Sequence, residues 1–227
     1  MRAFTYLVIV LAVVGLVGLT PRQYEAMQLA REDFAEAEQR IDATIEASKT
    51  VLDLSGLAYL RTVPESILKL PDLWFLDLTD TEISSLATIA QLPLLEHLTL
   101  RNTRVEDLSP LAEHKSLRNL NIGNSLVRDL EPLTRTKSLE RLDIGNLEIQ
   151  SLEPTTRIRS LLWINLHRAY AWDGSRVHYD QLYQTVPEVY NGSAFKQNYT
   201  PAPLYLRKTQ LNRLADTLYL PQPFPRP

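Results

Sequence analysis

Few residues of this chain have the types and spacing of catalytic or metal-binding groups. The chain has no cysteine and four histidines, at positions 97, 114, 167 and 178. Histidine can ligate a metal or transfer a proton, and the aspartates Asp53, Asp77 and Asp143 could form a carboxylate pair. A glycine-rich phosphate loop, a G-x-S-x-G motif and an H-E-x-x-H motif are all missing from the sequence. Whether the remaining groups can act together depends on the elements that carry them.

A 22-residue repeat organises the middle of the chain. Five columns of apolar residues keep this step over four or more copies, and the clearest column is Leu76, Leu98, Leu120, Leu142 and Ile164. A fixed period of this length is typical of a solenoid, in which each unit buries its apolar face against its neighbours. A solenoid displays a surface and encloses no pocket, which favours a binding function.

Each copy reads L-x-x-L-x-L-x-x-T-x-[IV]-x-x-L. The L-x-L segment alternates with period two, which predicts a short strand with one buried face. Pro110, Pro132 and Pro154 are also 22 residues apart and follow this segment. Proline suits a tight or 3₁₀ return on the convex side, because no backbone donor is needed there.

These residues resemble the bacterial leucine-rich repeats of internalin type, over about residues 51–166. The resemblance implies an α/β leucine-rich-repeat solenoid with a short parallel β-sheet on its concave face. The repeat's usual interior Asn is replaced by Thr81, Thr103, Ser125 and finally Leu147, and the convex leucine column ends in Thr155. A hydroxyl can still bond to the backbone and Leu147 cannot, so we expect the array to loosen before its last strand.

The residues between the buried leucines point outward on the concave sheet. Aromatic side chains and arginine beside polar neighbours are the residue types that dominate protein interfaces. The candidate partner-binding residues are Phe75, His97, Arg101, Asn121, Arg141, Asp143, Trp163 and His167.

The predicted register separates the groups that could do chemistry. His97 and His167 lie three strands apart, ~14 Å at ~4.8 Å per strand, which is too far for a shared metal ion. Thr99 and Asn121 stand between Asp77 and Asp143, so these carboxylates do not form a pair. We therefore expect no catalytic residue, no metal and no cofactor, and a protein that is not an enzyme.

The segments before the repeats are predicted from composition. Residues 1–20 are a signal peptide or a signal-anchor, with the apolar run Phe4–Leu19. At 1.5 Å per residue the run spans roughly 24 Å, short of a ~30 Å bilayer core, which favours a signal peptide. No small-x-small pair precedes a cleavage site, and Pro21 follows the best boundary, which favours an uncleaved anchor. Residues 21–49 are a helical N-terminal cap or a coiled-coil stalk. A homodimer through residues 21–49 is the less favoured reading.

After the repeats, residues 170–220 are a predicted C-terminal cap region rich in tyrosine, with a hairpin near 168–180 and a short helix around Leu214. Residues 221–227 are a Pro-rich tail. The repeat domain itself extends over residues 50–169.

The net charge of −3 leaves no basic face, so nucleic-acid binding is not expected. The sequence predicts a non-catalytic protein–protein interaction module, whose partner is another protein bound on the concave face. It is tethered to a membrane by residues 4–19 and faces outside the cytoplasm, or is secreted or periplasmic after cleavage. The alternatives are an envelope scaffolding protein that binds a glycan or cell-wall polymer, and a cytosolic adaptor.

Overall fold

The 22-residue repeats form one strand each, and the strands stack into a single sheet. The computed structural model describes residues 20–166, 169–171 and 205–207. The main strands are β1 (Val51–Asp53), β2 (Phe75–Asp77), β3 (His97–Thr99), β4 (Asn119–Asn121), β5 (Arg141–Asp143), β7 (Trp163–Asn165) and β9 (Tyr205–Arg207). Their order is β1-β2-β3-β4-β5-β7-β9, and the first six run parallel. A short parallel pair, β6 (Glu148–Ile149) with β8 (Tyr170–Ala171), lies beside this sheet.

The register of the sheet is the one that the repeat predicts. Leu98 pairs with Leu76 and with Leu120, and Leu142 pairs with Leu120 and with Ile164. All five residues are at most 2% exposed, and they belong to one hydrophobic core that runs the length of the array. A slip of one residue would turn this column toward solvent, so burial itself holds the register.

The return segments are short 3₁₀ turns, as the prolines predict, with one exception. The 3₁₀ turns are Glu65–Lys69, Ile89–Gln91, Ser109–Leu111 and Glu131–Arg135. In the last copy the return is a single α-helical turn, α2 (Glu153–Arg157), in which Pro154 occupies the first turn. Proline fits there because the first turn of a helix has no internal acceptor for its N–H groups.

The expected loosening of the last copy is wrong. Leu147 and Thr155 are both completely buried, and β5 and β7 keep the register of the earlier strands. The Thr155 hydroxyl donates to the Leu152 carbonyl oxygen at 2.6 Å, as Thr81 and Thr103 donate to carbonyls of their own turns. A threonine is therefore tolerated in the core because its one polar group is satisfied locally.

A column of residues with left-handed backbone conformation follows the strands. Asp80, Asn102, Asn124 and Asn146 have φ between 55° and 59°, and Gly56 takes the equivalent place in the first copy. Aspartate and asparagine tolerate this conformation better than other residues with a Cβ. Their side chains also bond in series, since Asn102 Nδ2 donates to Asp80 Oδ1 at 2.6 Å and Asn124 Nδ2 donates to Asn102 Oδ1 at 2.8 Å.

Helix α1 (Pro21–Glu46) lies against the first repeat. Its start is set by a capping box between Thr20 and Gln23, and it ends just before Ser48, which has a positive φ of 49°. Ile41 is fully buried and Ile45 packs on the repeat core, whereas Phe34 is 40% exposed. Ile41 and Ile45 thus pack within the chain, which supports the predicted cap more than a coiled-coil stalk.

Polar contacts tie α1 to the same repeat. Asp33 accepts a hydrogen bond from the Tyr59 backbone N–H at 2.7 Å, and Arg40 donates to the carbonyl oxygens of Asp53 and Ser55.

The free edge of β7 is paired by β9, which runs antiparallel and places Leu206 opposite Ile164. Of the predicted hairpin near 168–180, only residues 169–171 are described, and Tyr170–Ala171 pairs in parallel with β6. The predicted short helix around Leu214 and the Pro-rich tail lie outside the described residues. So does the apolar run 4–19. Among the residues that are described, no helix is long and apolar enough to cross a membrane.

Candidate binding site

A groove of about 350 Å³ crosses the outward face of the sheet. Its lining residues are Phe75, His97, Leu98, Thr99, Asn119, Leu120, Asn121, Arg141, Leu142, Asp143, Trp163 and Asn165. We call this the concave groove. It runs across β2, β3, β4, β5 and β7. Each of β3, β4, β5 and β7 contributes the two residues that flank its buried apolar residue, and β2 contributes Phe75.

Aromatic side chains occupy one end of the groove. The His97 and Trp74 rings meet edge to face with centroids 5.1 Å apart, and Phe75 lies 5.8 Å from Trp74 and 6.1 Å from His97. Trp74 is 39% exposed and stands just before β2, so the cluster continues from the groove onto its rim. Trp163 lies at the other end, four strand steps or ~19 Å away.

The polar groups between these ends are largely used by the fold. Asp77, Asn121 and Asp143 each accept, through Oδ1, a hydrogen bond from the backbone N–H two residues later, at 2.8 to 3.0 Å. These side chains cap the turn that follows their strand. Gly123 has no room for a Cβ without a shift, because such an atom would lie 3.1 Å from the Gly145 oxygen and 3.2 Å from Asn121 Oδ1.

Two further contacts link neighbouring strands. The Asn119 amide nitrogen lies 3.0 Å from the ring nitrogens of His97, and Asn165 Nδ2 donates to Asp143 Oδ2 at 3.0 Å. Hydrogen bonds between neighbouring strands and turns therefore fix the positions of these polar side chains on the groove floor. Preset positions lower the entropy cost of binding a partner.

Along the rim, the charges neutralise one another. Arg118 lies between Glu140 at 2.6 Å and Glu96 at 3.7 Å, all on residues that directly precede strands. On another part of the surface, Glu82 bridges Arg61 and Arg104 at 3.0 and 2.7 Å. Such exposed pairs contribute little to stability.

The structure brings six of the eight predicted residues together in the groove, namely Phe75, His97, Asn121, Arg141, Asp143 and Trp163. Arg101 is exposed and lies outside the lining, because it falls in the turn after β3. His167 lies outside the described residues.

The sequence reasoning missed Trp74 and gave no weight to Asn119. Trp74 directly precedes a strand, where alternation does not say which way a side chain points. The signal that could have found it is its position beside Phe75, which lies one repeat before His97.

His114 is not part of the sheet. Its side chain is buried on the return side, where Nε2 lies 2.9 Å from the Leu92 carbonyl oxygen and Nδ1 accepts the Leu117 backbone N–H at 3.2 Å. This bonding requires the neutral ring with its proton on Nε2. Burial lowers the pKa of His114 below its ordinary value, and the bond to the Leu92 carbonyl opposes this only in part.

The carboxylates behave as structural groups. The pKa of Asp53 is lowered chiefly by its hydrogen bond to Ser55, and that of Asp107 by its bond to Ser109. Asp77 and Asp143 lie three strand steps apart, with Thr99 and Asn121 between them. Within the part of the chain that the structure describes, no group of three His, Asp or Glu side chains could hold a metal ion.

No protein-family model matches the chain, and no curated protein matches it. Among solved structures, an internalin of Listeria monocytogenes is similar, with 26% identity and a TM-score of 0.50 over 54% of this chain and 36% of that one. A second Listeria internalin has 32% identity and a TM-score of 0.44 over 51% of each chain. A leucine-rich-repeat protein of Leptospira interrogans has 21% identity and a TM-score of 0.47 over 55% of this chain and 38% of that one.

The matched part thus spans about a third of the first internalin's length. The periodic columns, the parallel sheet in register and this likeness agree. The chain therefore folds as a leucine-rich-repeat solenoid, and its 22-residue units resemble those of a Listeria internalin.

Proposed function

We propose that this chain is a non-catalytic protein–protein interaction module and that its partner binds in the concave groove. The observation that carries the proposal is the continuity of the groove across five neighbouring strands, with aromatic side chains at both ends and Arg141 between them. Large aromatic side chains and arginine supply most of the binding energy in protein interfaces. The likeness to an internalin supports an interaction module of this kind.

A glycan or cell-wall polymer is the second candidate ligand. Aromatic rings beside amide and carboxylate groups, such as Trp163 next to Asp143 and Asn165, favour it. Against it, Asn119, Asn121 and Asp143 already use atoms in bonds within the sheet. A sugar needs several hydrogen-bonding groups that are open to it, so we favour a protein.

We further propose that residues 4–19 tether the chain to a membrane with the repeats outside the cytoplasm. The apolar character of the run and the absence of a good cleavage site support this proposal. Membrane fractionation with an alkaline wash tests it. A retained full-length chain supports the tether, a mature N-terminus near residue 20 indicates a secreted form, and an unprocessed chain in the cytosol indicates an adaptor.

Site-specific photo-crosslinking tests the groove. A photoreactive amino acid at Thr99 lies on the groove floor, and the same group at exposed Lys137 lies after a return segment. We expect a protein adduct from position 99 in extracts of the source cells and none from position 137.

The adduct at position 99 should disappear when Phe75→Ala and Trp163→Ala are combined. Leu68→Ala is the matched control, because Leu68 is also an exposed apolar side chain but lies on a return segment. An adduct of equal yield from position 137, or one that survives the double substitution, would show that the groove is not the site.

A further inference from the structure

The concave groove contains one cation whose charge the fold does not use. Arg141 is exposed on β5, and its guanidinium makes no ion pair and no hydrogen bond with any described residue. The carboxylate nearest along its own strand, Asp143, is occupied by the Gly145 N–H at 2.9 Å and by Asn165 Nδ2 at 3.0 Å. Arg118, one residue before β4, is by contrast held by two glutamates.

The neighbours of Arg141 are set by the sheet register. Asn119 stands beside it on β4 and Trp163 on β7, each ~4.8 Å away along the sheet. Phe75 lies three strand steps away, ~14 Å. An incoming group at Arg141 would therefore sit against the Trp163 indole, where water is partly excluded and a charged hydrogen bond is stronger than in open solvent.

Resting on the proposed function, we propose that the partner segment presents a carboxylate to Arg141, with an apolar side chain on Trp163 and a second apolar side chain at the Phe75 end. A guanidinium binds a carboxylate through two parallel N–H···O bonds, which fixes orientation as well as charge. An extended segment covers the ~14 Å between Arg141 and Phe75 with about four residues.

The surrounding charges favour a carboxylate over a phosphate. Asp143 carries a negative charge on the same strand face, and Asp77 lies in the same column nearer the aromatic end. A dianionic phosphate would be repelled by Asp143 and, among the lining residues that the structure describes, would meet Arg141 as the one arginine or lysine. A single carboxylate is neutralised by Arg141 alone.

A peptide library tests the proposal with the full-length chain. Phage that display random peptides of about twelve residues, long enough to span the groove when extended, are selected on the wild type and on Arg141→Glu. Peptides from the wild type should be enriched in Asp or Glu near apolar residues. Peptides from Arg141→Glu should be enriched in Lys or Arg instead, because the charge of the groove is reversed.

The affinity of the best wild-type peptide is then measured by calorimetry. Arg141→Gln should weaken it by about tenfold or more, the loss expected for a hydrogen bond to a charged group. Arg101→Gln should change it by less than about twofold, since Arg101 is also an exposed arginine but lies outside the groove lining.

The outcomes separate this proposal from the function on which it rests. Peptides that lose binding with Phe75→Ala and Trp163→Ala but not with Arg141→Gln would overturn carboxylate recognition and leave the groove as a protein site. Peptides that depend on none of the three residues would count against the groove itself. Acidic peptides that lose binding with Arg141→Gln and also with Phe75→Ala and Trp163→Ala support the proposal.

Discussion

Adjacent residues of β4 should differ sharply in their contribution to stability. Leu120 is 2% exposed in the central column of the core, so Leu120→Ala should cost ~2–5 kcal/mol of the free energy of unfolding, through lost burial and the cavity left behind. Asn121 is half-buried, and its Oδ1 accepts the Gly123 N–H at 3.0 Å. Loss of that bond should cost ~0.5–1.5 kcal/mol.

Thr99 occupies the same column on β3, but its side chain makes no hydrogen bond to a described residue. Thr99→Ala should therefore cost less than ~0.5 kcal/mol. The repeat pattern alone predicts this small value for Asn121 and Asp143 as well, whereas the turn-capping bonds raise the cost that we expect for these two residues. Asn121→Asp is the matched control, because Asp77 and Asp143 make the same bond with a carboxylate.

Urea unfolding followed by circular dichroism measures all four variants. The expected order of destabilisation is Leu120→Ala, then Asn121→Ala, then Asn121→Asp and Thr99→Ala together near zero. Equal losses for Leu120→Ala and Thr99→Ala would refute the register, since a slip of one residue exchanges the buried and exposed columns. Equal losses for Asn121→Ala and Asn121→Asp would refute the capping bond.

Three further predictions concern single features of the array. The pKa of His114 is lowered in the folded chain, so the unfolded chain binds a proton at this histidine more readily. The stability contributed by neutral His114 is therefore complete above about pH 6.5 and is lost as the pH falls below that value. The melting temperature should fall less steeply on acidification in His114→Leu than in the wild type, and parallel curves would contradict this. Asn124→Ala, at φ 57°, should cost ~1–2 kcal/mol in chemical denaturation whereas Asn124→Gly costs less, and the reverse order would show that the side-chain ladder matters more than the backbone. Ending the chain after Ala169 removes β9 and exposes the edge of β7, so light scattering should detect aggregation. A chain that ends after Leu220 keeps β9 and should not aggregate. If the chain that ends after Ala169 were monomeric and equally stable, that result would contradict a capping role.

The repeat period alone predicts the backbone arrangement of this protein. Leucines 22 residues apart must lie side by side if each unit is to bury its apolar face, and that requirement orders the strands and sets the register from Leu76 to Ile164. The same alternation identifies which residues face outward, so Phe75, Arg141 and Trp163 could be placed on one face before any coordinates. The prolines likewise indicate the 3₁₀ returns, because proline restricts the local backbone directly.

Only the tertiary structure decides what the outward side chains do. Asn121 and Thr99 occupy equivalent positions in one column, yet Asn121 caps a turn and Thr99 does not. Asp143 is held by Asn165 of the next repeat, while Arg141 on the same strand is left without an ionic partner among the described residues. The Trp74 ring contacts the His97 ring of the next repeat, and the His114 side chain hydrogen-bonds to the carbonyl oxygen of Leu92 in the preceding repeat. Burial of an apolar residue is almost independent of direction, so a periodic pattern predicts it. A hydrogen bond or a ring contact depends on distances and angles between residues of different repeats, and these exist only once the units are stacked.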